Sequence, residues 1–110
     1  MILNQFQLRE ARESAQILLH KRRPPLQERN RRDLCVRVQG TMVHVYWQRR
    51  IGNRTKEIPK ARATFIKSKM LWKVSWYRSN KWYGYQRCKW VPDVRSFYRL
   101  LAEDPFRTFW

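Results

Sequence analysis

Acidic side chains are scarce in this chain. Eight Asp and Glu stand against 25 Lys and Arg, a formal charge of +17 at pH 7 and an isoelectric point near 11.1. None falls between Glu57 and Asp93. Acid–base chemistry on paired carboxylates needs acids that converge. Glu10, Glu13, Glu28, Asp33, Glu57, Asp93, Glu103 and Asp104 mostly sit where helix capping or solvation explains them, which argues against a two-metal nuclease. Glycine is rarer still. Gly40, Gly52 and Gly84 are the only ones, so no Gly-rich phosphate loop is present.

Cys35 and Cys88 are too few for a secreted disulfide framework and read as free thiols in the cytoplasm. With His20 and His44 they match no metal-ligand spacing, and neither a metal nor a cofactor is expected. No apolar run approaches the length of a membrane span, and Met1 to Glu10 lacks the basic-then-apolar pattern of a signal peptide. Internal repeats and low-complexity segments are also absent.

What the chain has in quantity is aromatic and cationic side chains, interleaved. Between Lys60 and Arg87 lie Trp72, Trp76, Tyr77, Trp82, Tyr83 and Tyr85 among Lys67, Lys69, Lys73, Arg78 and Lys81. Six Trp and 43% hydrophobic residues are enough for a packed core, and 110 residues fit a single domain.

The patterning predicts an α+β fold: an antiparallel meander of about five strands between an N-terminal amphipathic helix and a C-terminal helix. The first helix runs from Gln5 to Arg22 behind an Asn4 cap, with Leu8, Ala11, Ala15, Leu18 and Leu19 on one face. Pro24 ends it, giving a helical segment over 4–23, and 24–32 is a basic linker. The sheet occupies 33–90. Its first hairpin turns at Gln39-Gly40, placing Val38 against Thr41, Val36 against Val43 and Leu34 against Val45. On the other face Cys35 then opposes His44, and Arg37 opposes Met42.

Residues 51–59 read as a polar loop. A third strand runs from about Ala61 to Lys67, a fourth from Leu71 to Ser79 and a fifth from Lys81 to Arg87. A two-residue turn at Ser79-Asn80 pairs Tyr77 with Trp82, Trp76 with Tyr83, Val74 with Tyr85 and Lys73 with Gln86. Asp93 caps a helix over 92–104 that presents Val94, Phe97, Tyr98 and Leu101, Pro105 stops it, and the aromatic tail 105–110 packs back.

Several stretches carry a family likeness. Lys21-Arg22-Arg23-Pro24-Pro25, the Val-rich hairpin after Asp33-Leu34, and Ala61-Arg62-Ala63-Thr64-Phe65-Ile66-Lys67-Ser68 are three of them. Leu71-Trp72-Lys73-Val74-Ser75-Trp76-Tyr77-Arg78 and Lys81-Trp82-Tyr83-Gly84-Tyr85 are the most specific. From about His20 to Trp110 the chain resembles the bacterial family catalogued as domain of unknown function three thousand and twenty-four. That resemblance implies a small cytoplasmic bacterial protein and an architecture, and it implies no catalytic residues.

Function therefore rests on charge and aromatics. A compact domain with one dominant sign of charge attracts polyanions, and nucleic acid is the commonest, because neutralising phosphates releases condensed counterions. Exposed aromatics that stack bases, with Lys or Arg along the backbone, suit a non-enzymatic nucleic-acid-binding module. Lys21, Arg22, Arg23, Arg37, Arg62, Lys73, Tyr77, Arg78, Lys81 and Trp82 are the candidate contacts. Whether a helix covers Tyr77 and Trp82 decides how many of them count.

Two alternatives stand beside this reading. One is a small toxin-type ribonuclease using Arg78, Lys81, Tyr77 and Tyr83, and the other is an adaptor for an acidic protein. Membrane insertion is not expected, since the amphipathic helix carries acids as well as bases on its polar face.

Overall fold

The computed structural model describes residues 2–110. Its elements, in chain order, are α1 (Gln5–Glu13), α2 (Ala15–Arg22), a 3-10 turn (Leu26–Glu28), β1 (Arg32–Gln39), β2 (Met42–Ile51), β3 (Arg54–Ile66), β4 (Leu71–Arg78), β5 (Lys81–Gly84), β6 (Trp90–Val91) and α3 (Val94–Glu103). The sheet is antiparallel and six-stranded. β1 to β5 form a meander, and β6 returns to pair with β4. The fold is the expected α+β arrangement. No helix among the described residues is long and apolar enough to cross a membrane.

Asn4 caps α1 as a full capping box, accepting from Gln7 N at 2.8 Å while the Gln7 side chain accepts from Asn4 N at 3.0 Å. The expected single helix is interrupted at Ser14. That buried residue stays in the helical region, but Ile17 N bonds Ser14 O at 3.0 Å. A locally tightened three-residue turn therefore divides one helix into two. Arg23 is already extended, with ψ at 135°, the geometry a following proline demands.

One core joins the helices to one face of the sheet. Ala11, Ala15 and Leu18 from α1 and α2, and Phe97, Tyr98 and Leu101 from α3, pack with Leu34, Val43, Val45, Ala61, Ala63, Trp72 and Val74. The registers place all seven of those strand residues on the same face.

The first hairpin differs from expectation by two residues. The turn is Gly40-Thr41, so Gln39 faces Met42, Val38 faces Val43, Val36 faces Val45 and Leu34 faces Trp47. Gly40 takes φ of 59°, which glycine adopts without strain. A slip of two preserves which face each side chain occupies. It does change the neighbours: Cys35 opposes Tyr46, and His44 opposes Arg37, so the expected Cys35–His44 pair is not formed.

β3 starts seven residues earlier than expected, at Arg54, within the stretch 51–59 expected to be a loop. Gly52-Asn53 is a tight turn between Ile51 and Arg54. Tyr46 pairs with Pro59 but Val45 pairs with Ala61, leaving Lys60 as an extra residue in the ladder. Proline has no N–H for the ladder, and such positions favour a bulge.

β4 and β5 pair as expected, Trp76 with Tyr83, Tyr77 with Trp82 and Ser75 with Gly84. β5 ends at Gly84 instead of Arg87. Tyr85 turns into the core, its ring 4.8 Å from Phe109, and Cys88 N closes a turn onto Tyr85 O at 3.1 Å. Lys73 consequently faces Trp90 of β6, where Gln86 was expected.

Asp93 caps α3, accepting from Ser96 N at 2.8 Å. The end of the tail packs back, with Phe109 buried and Trp110 Nε1 donating to Leu101 O at 2.7 Å, whereas Phe106, expected to pack with it, is exposed.

Candidate functional site

The sheet face away from the core carries no helix residue of that core. By register it presents Cys35 and Arg37 from β1, His44 and Tyr46 from β2, and Arg62 and Thr64 from β3. Lys73, Ser75 and Tyr77 from β4, Trp82 from β5 and Trp90 from β6 complete it. Five of the candidates from sequence, Arg37, Arg62, Lys73, Tyr77 and Trp82, share this face.

Its centre is a stack. Trp82 and Tyr77 are both half-buried, with ring centroids 5.1 Å apart at 64°, an edge-to-face contact. The Arg62 guanidinium lies 4.2 Å above the Trp82 ring, close enough for a cation–π attraction. Arg62 Nε is buried and has no hydrogen-bond partner among the described residues, and burial pulls the Arg62 pKa down. A guanidinium is nevertheless charged at any physiological pH. The guanidinium on the ring places a fixed positive charge at the centre of this face, although its Nε is shut off from solvent.

Arg37 is more committed. It lies 4.7 Å over the Tyr46 ring, donates to Tyr46 Oη at 3.1 Å and pairs with Glu57. Arg37, Gln39, His44, Tyr46, Glu57 and Trp82 line a cavity of about 130 Å³. At the far side Lys69 Nζ lies 5.4 Å from the Trp90 ring, which is 36% exposed. Sequence reasoning missed this second pair, because nothing local signals that β6 rejoins β4.

His44 stands opposite Arg37 on one side and Arg62 on the other. Burial first, then these two cations, lower its pKa below the ordinary 6.5. Asp33 is also lowered, from 3.8, chiefly by the Arg23 hydrogen bond. Both shifts have one sign, since the unfolded chain binds the proton more readily than the folded one, and stability falls on acidification. For His44 the loss begins as pH falls through about 6.5, and for Asp33 it begins near 3.8. His44→Gln should flatten the first limb of a melting-temperature profile and leave the second. An unchanged limb above pH 5 would refute the assignment to His44.

The remaining candidates lie elsewhere. Arg78 and Lys81 face each other beside the β4–β5 turn and are exposed. Lys21 is exposed at the end of α2. Arg22 donates to Ala102 O at 3.0 Å and stacks on Trp110 at 5.8 Å. Arg23 forks onto both Asp33 oxygens at 2.9 Å. Of the three candidate contacts Lys21, Arg22 and Arg23, two thus hold helices and sheet together.

Tyr77 and Tyr83 point to opposite faces, so the set Arg78, Lys81, Tyr77 and Tyr83 does not converge. Cys35 has its pKa raised by burial and then by Asp33, the opposite of an activated thiolate. Among the described residues no three of His, Cys, Asp and Glu gather as a metal ion would need.

A family model described as domain of unknown function (DUF3024) matches residues 3–110, including the N-terminal helical segment as well as the sheet. No curated protein and no solved structure matches the chain.

Proposed function

Because the chain belongs to the DUF3024 family, whose description names no activity, the reading comes from the face itself, and we propose a non-enzymatic nucleic-acid-binding module of the bacterial cytoplasm. The observation that carries it is the Arg62–Trp82–Tyr77 stack on a sheet face that no helix covers. Single strands are held by bases stacking on aromatic rings, while Lys or Arg tracks the phosphates. Lys73 lies exposed on the same face, while Arg78 and Lys81, the next pair toward the β4–β5 turn, are exposed but alternate to the other side. Base identity matters little to a π-face, so binding is expected to be weakly sequence-selective. The free, half-buried Cys35 and Cys88 suit a reducing compartment.

Titration of single- and double-stranded oligonucleotides at low salt tests the proposal, with tryptophan fluorescence as the readout. Trp82→Ala should weaken single-strand binding by about 1–3 kcal/mol, the value of one stacked base. Absence of binding to either oligonucleotide at low salt would end this reading.

A further inference from the structure

A second cationic surface lies on the opposite face, beyond the edge of the helical layer. Arg32, Arg49 and Lys56 are directly opposed across β1, β2 and β3, on the core side of the sheet, and all are exposed. Like charges placed directly opposite destabilise a sheet. Nothing offsets them: the salt bridges among the described residues are Arg23–Asp33 and Arg37–Glu57. The next row inward is Leu34, Trp47 and Ile58. Arg32, Trp47, Arg49, Ile58 and Lys60 line an open cleft of about 310 Å³ with no acid in its lining. The Arg32 guanidinium lies 5.0 Å over the Trp47 ring.

From this we infer that the Arg32–Arg49–Lys56 row, with Lys60, holds successive phosphates of one nucleic-acid strand as it crosses the Trp47–Ile58 floor. The layout favours a backbone over a single phosphate. Neighbouring strands are about 4.8 Å apart, so the three cations form a line and do not converge on a point. Planar guanidinium forks suit phosphate oxygens, and an apolar floor beneath them suits the sugar and base. The inference rests on the nucleic-acid reading and adds a contact on the other side of the sheet from Trp82.

The experiment measures affinity for a single-stranded oligonucleotide as a function of salt. Each phosphate contact contributes roughly 0.7 to the slope of log K against log salt on single strands. The double variant Arg49→Gln, Lys56→Gln should therefore be shallower by about 1.4. Trp82→Ala should weaken binding at every salt and leave the slope alone. Removing opposed like charges should also raise the melting temperature of the unbound double variant; if it melts below wild type, Arg32→Gln serves instead, with a slope change of about 0.7.

An unchanged slope in a variant that folds, with the wild type binding, overturns the row and leaves the open-face reading intact. Failure of the wild type to bind overturns both. Tighter binding of polyglutamate than of the oligonucleotide, dependent on Arg49 and Lys56, overturns the inference in favour of an acidic protein partner.

Discussion

Raising salt from about 50 to about 200 mM should weaken single-strand binding roughly 300-fold if about six phosphates are neutralised. The cations counted are Arg62 and Lys73 on the open face, with Arg32, Arg49, Lys56 and Lys60 from the row. At roughly 0.7 per phosphate, about six contacts give a slope near −4.2, and a fourfold change in salt then gives that factor. Arg37 is left out because Glu57 already holds it, and Arg22 and Arg23 because Ala102 and Asp33 hold them. Fluorescence titration across the salt range measures the slope directly. A loss below about tenfold would mean that stacking, not phosphate contact, dominates.

Asp104→Ala should cost about 3 kcal/mol or more of folding stability. Asp104 is 6% exposed and left-handed, with φ of 41°. Its carboxylate accepts from Thr108 N at 2.8 Å, Phe109 N at 3.3 Å and Trp110 N at 3.4 Å. Those bonds seat Phe109 against Tyr85 and bring Trp110 edge-on to Trp47, with centroids 6.0 Å apart. Alanine would strand these amides and would itself be strained in the left-handed region, by roughly 1–2 kcal/mol. Asparagine tolerates that conformation and keeps one acceptor, so Asp104→Asn should cost only about 1 kcal/mol. Urea unfolding of the two variants checks the contrast, and equal losses would show that the carboxylate does not hold the tail.

Alternation of apolar residues disclosed which face of the first hairpin is buried but not its register. Val36 packs inward whether it faces Val43 or, as observed, Val45, because the side-chain period is two. The second hairpin was legible in full over Ser75 to Gly84: Ser79 and Asn80, both with positive φ, form a two-residue turn. Arg54 to Glu57 gave no strand signal because all four are exposed, and without a buried face there is no alternation to detect.

The stack at the candidate site was legible for the converse reason. Tyr77 and Arg62 occupy strands whose inward residues Ala61, Ala63, Trp72 and Val74 are buried, and the two-residue turn then sets Trp82 opposite Tyr77. Arg22 and Arg23 were misplaced because their partners, Ala102 and Asp33, are set by tertiary packing and leave no local trace. The Arg32–Arg49–Lys56 row was invisible for a further reason: it exists only once two registers and one irregularity in β3 are known.

That irregularity, the extra residue at Lys60, decides whether a third cation or an acid completes one row of the sheet. Had the ladder continued evenly past Val45–Ala61, Glu57 would stand opposite Arg49 and form a cross-strand ion pair beside the Arg32–Arg49 contact. Lys56 would move to the open face beside Arg50. Instead the bulge carries the only acid of the β3 strand through to the open face, where it neutralises Arg37, and sends a third cation the other way. A single residue beside a proline thus sorts charge between the two sides of the sheet, forgoing an ion pair that the sequence had at hand.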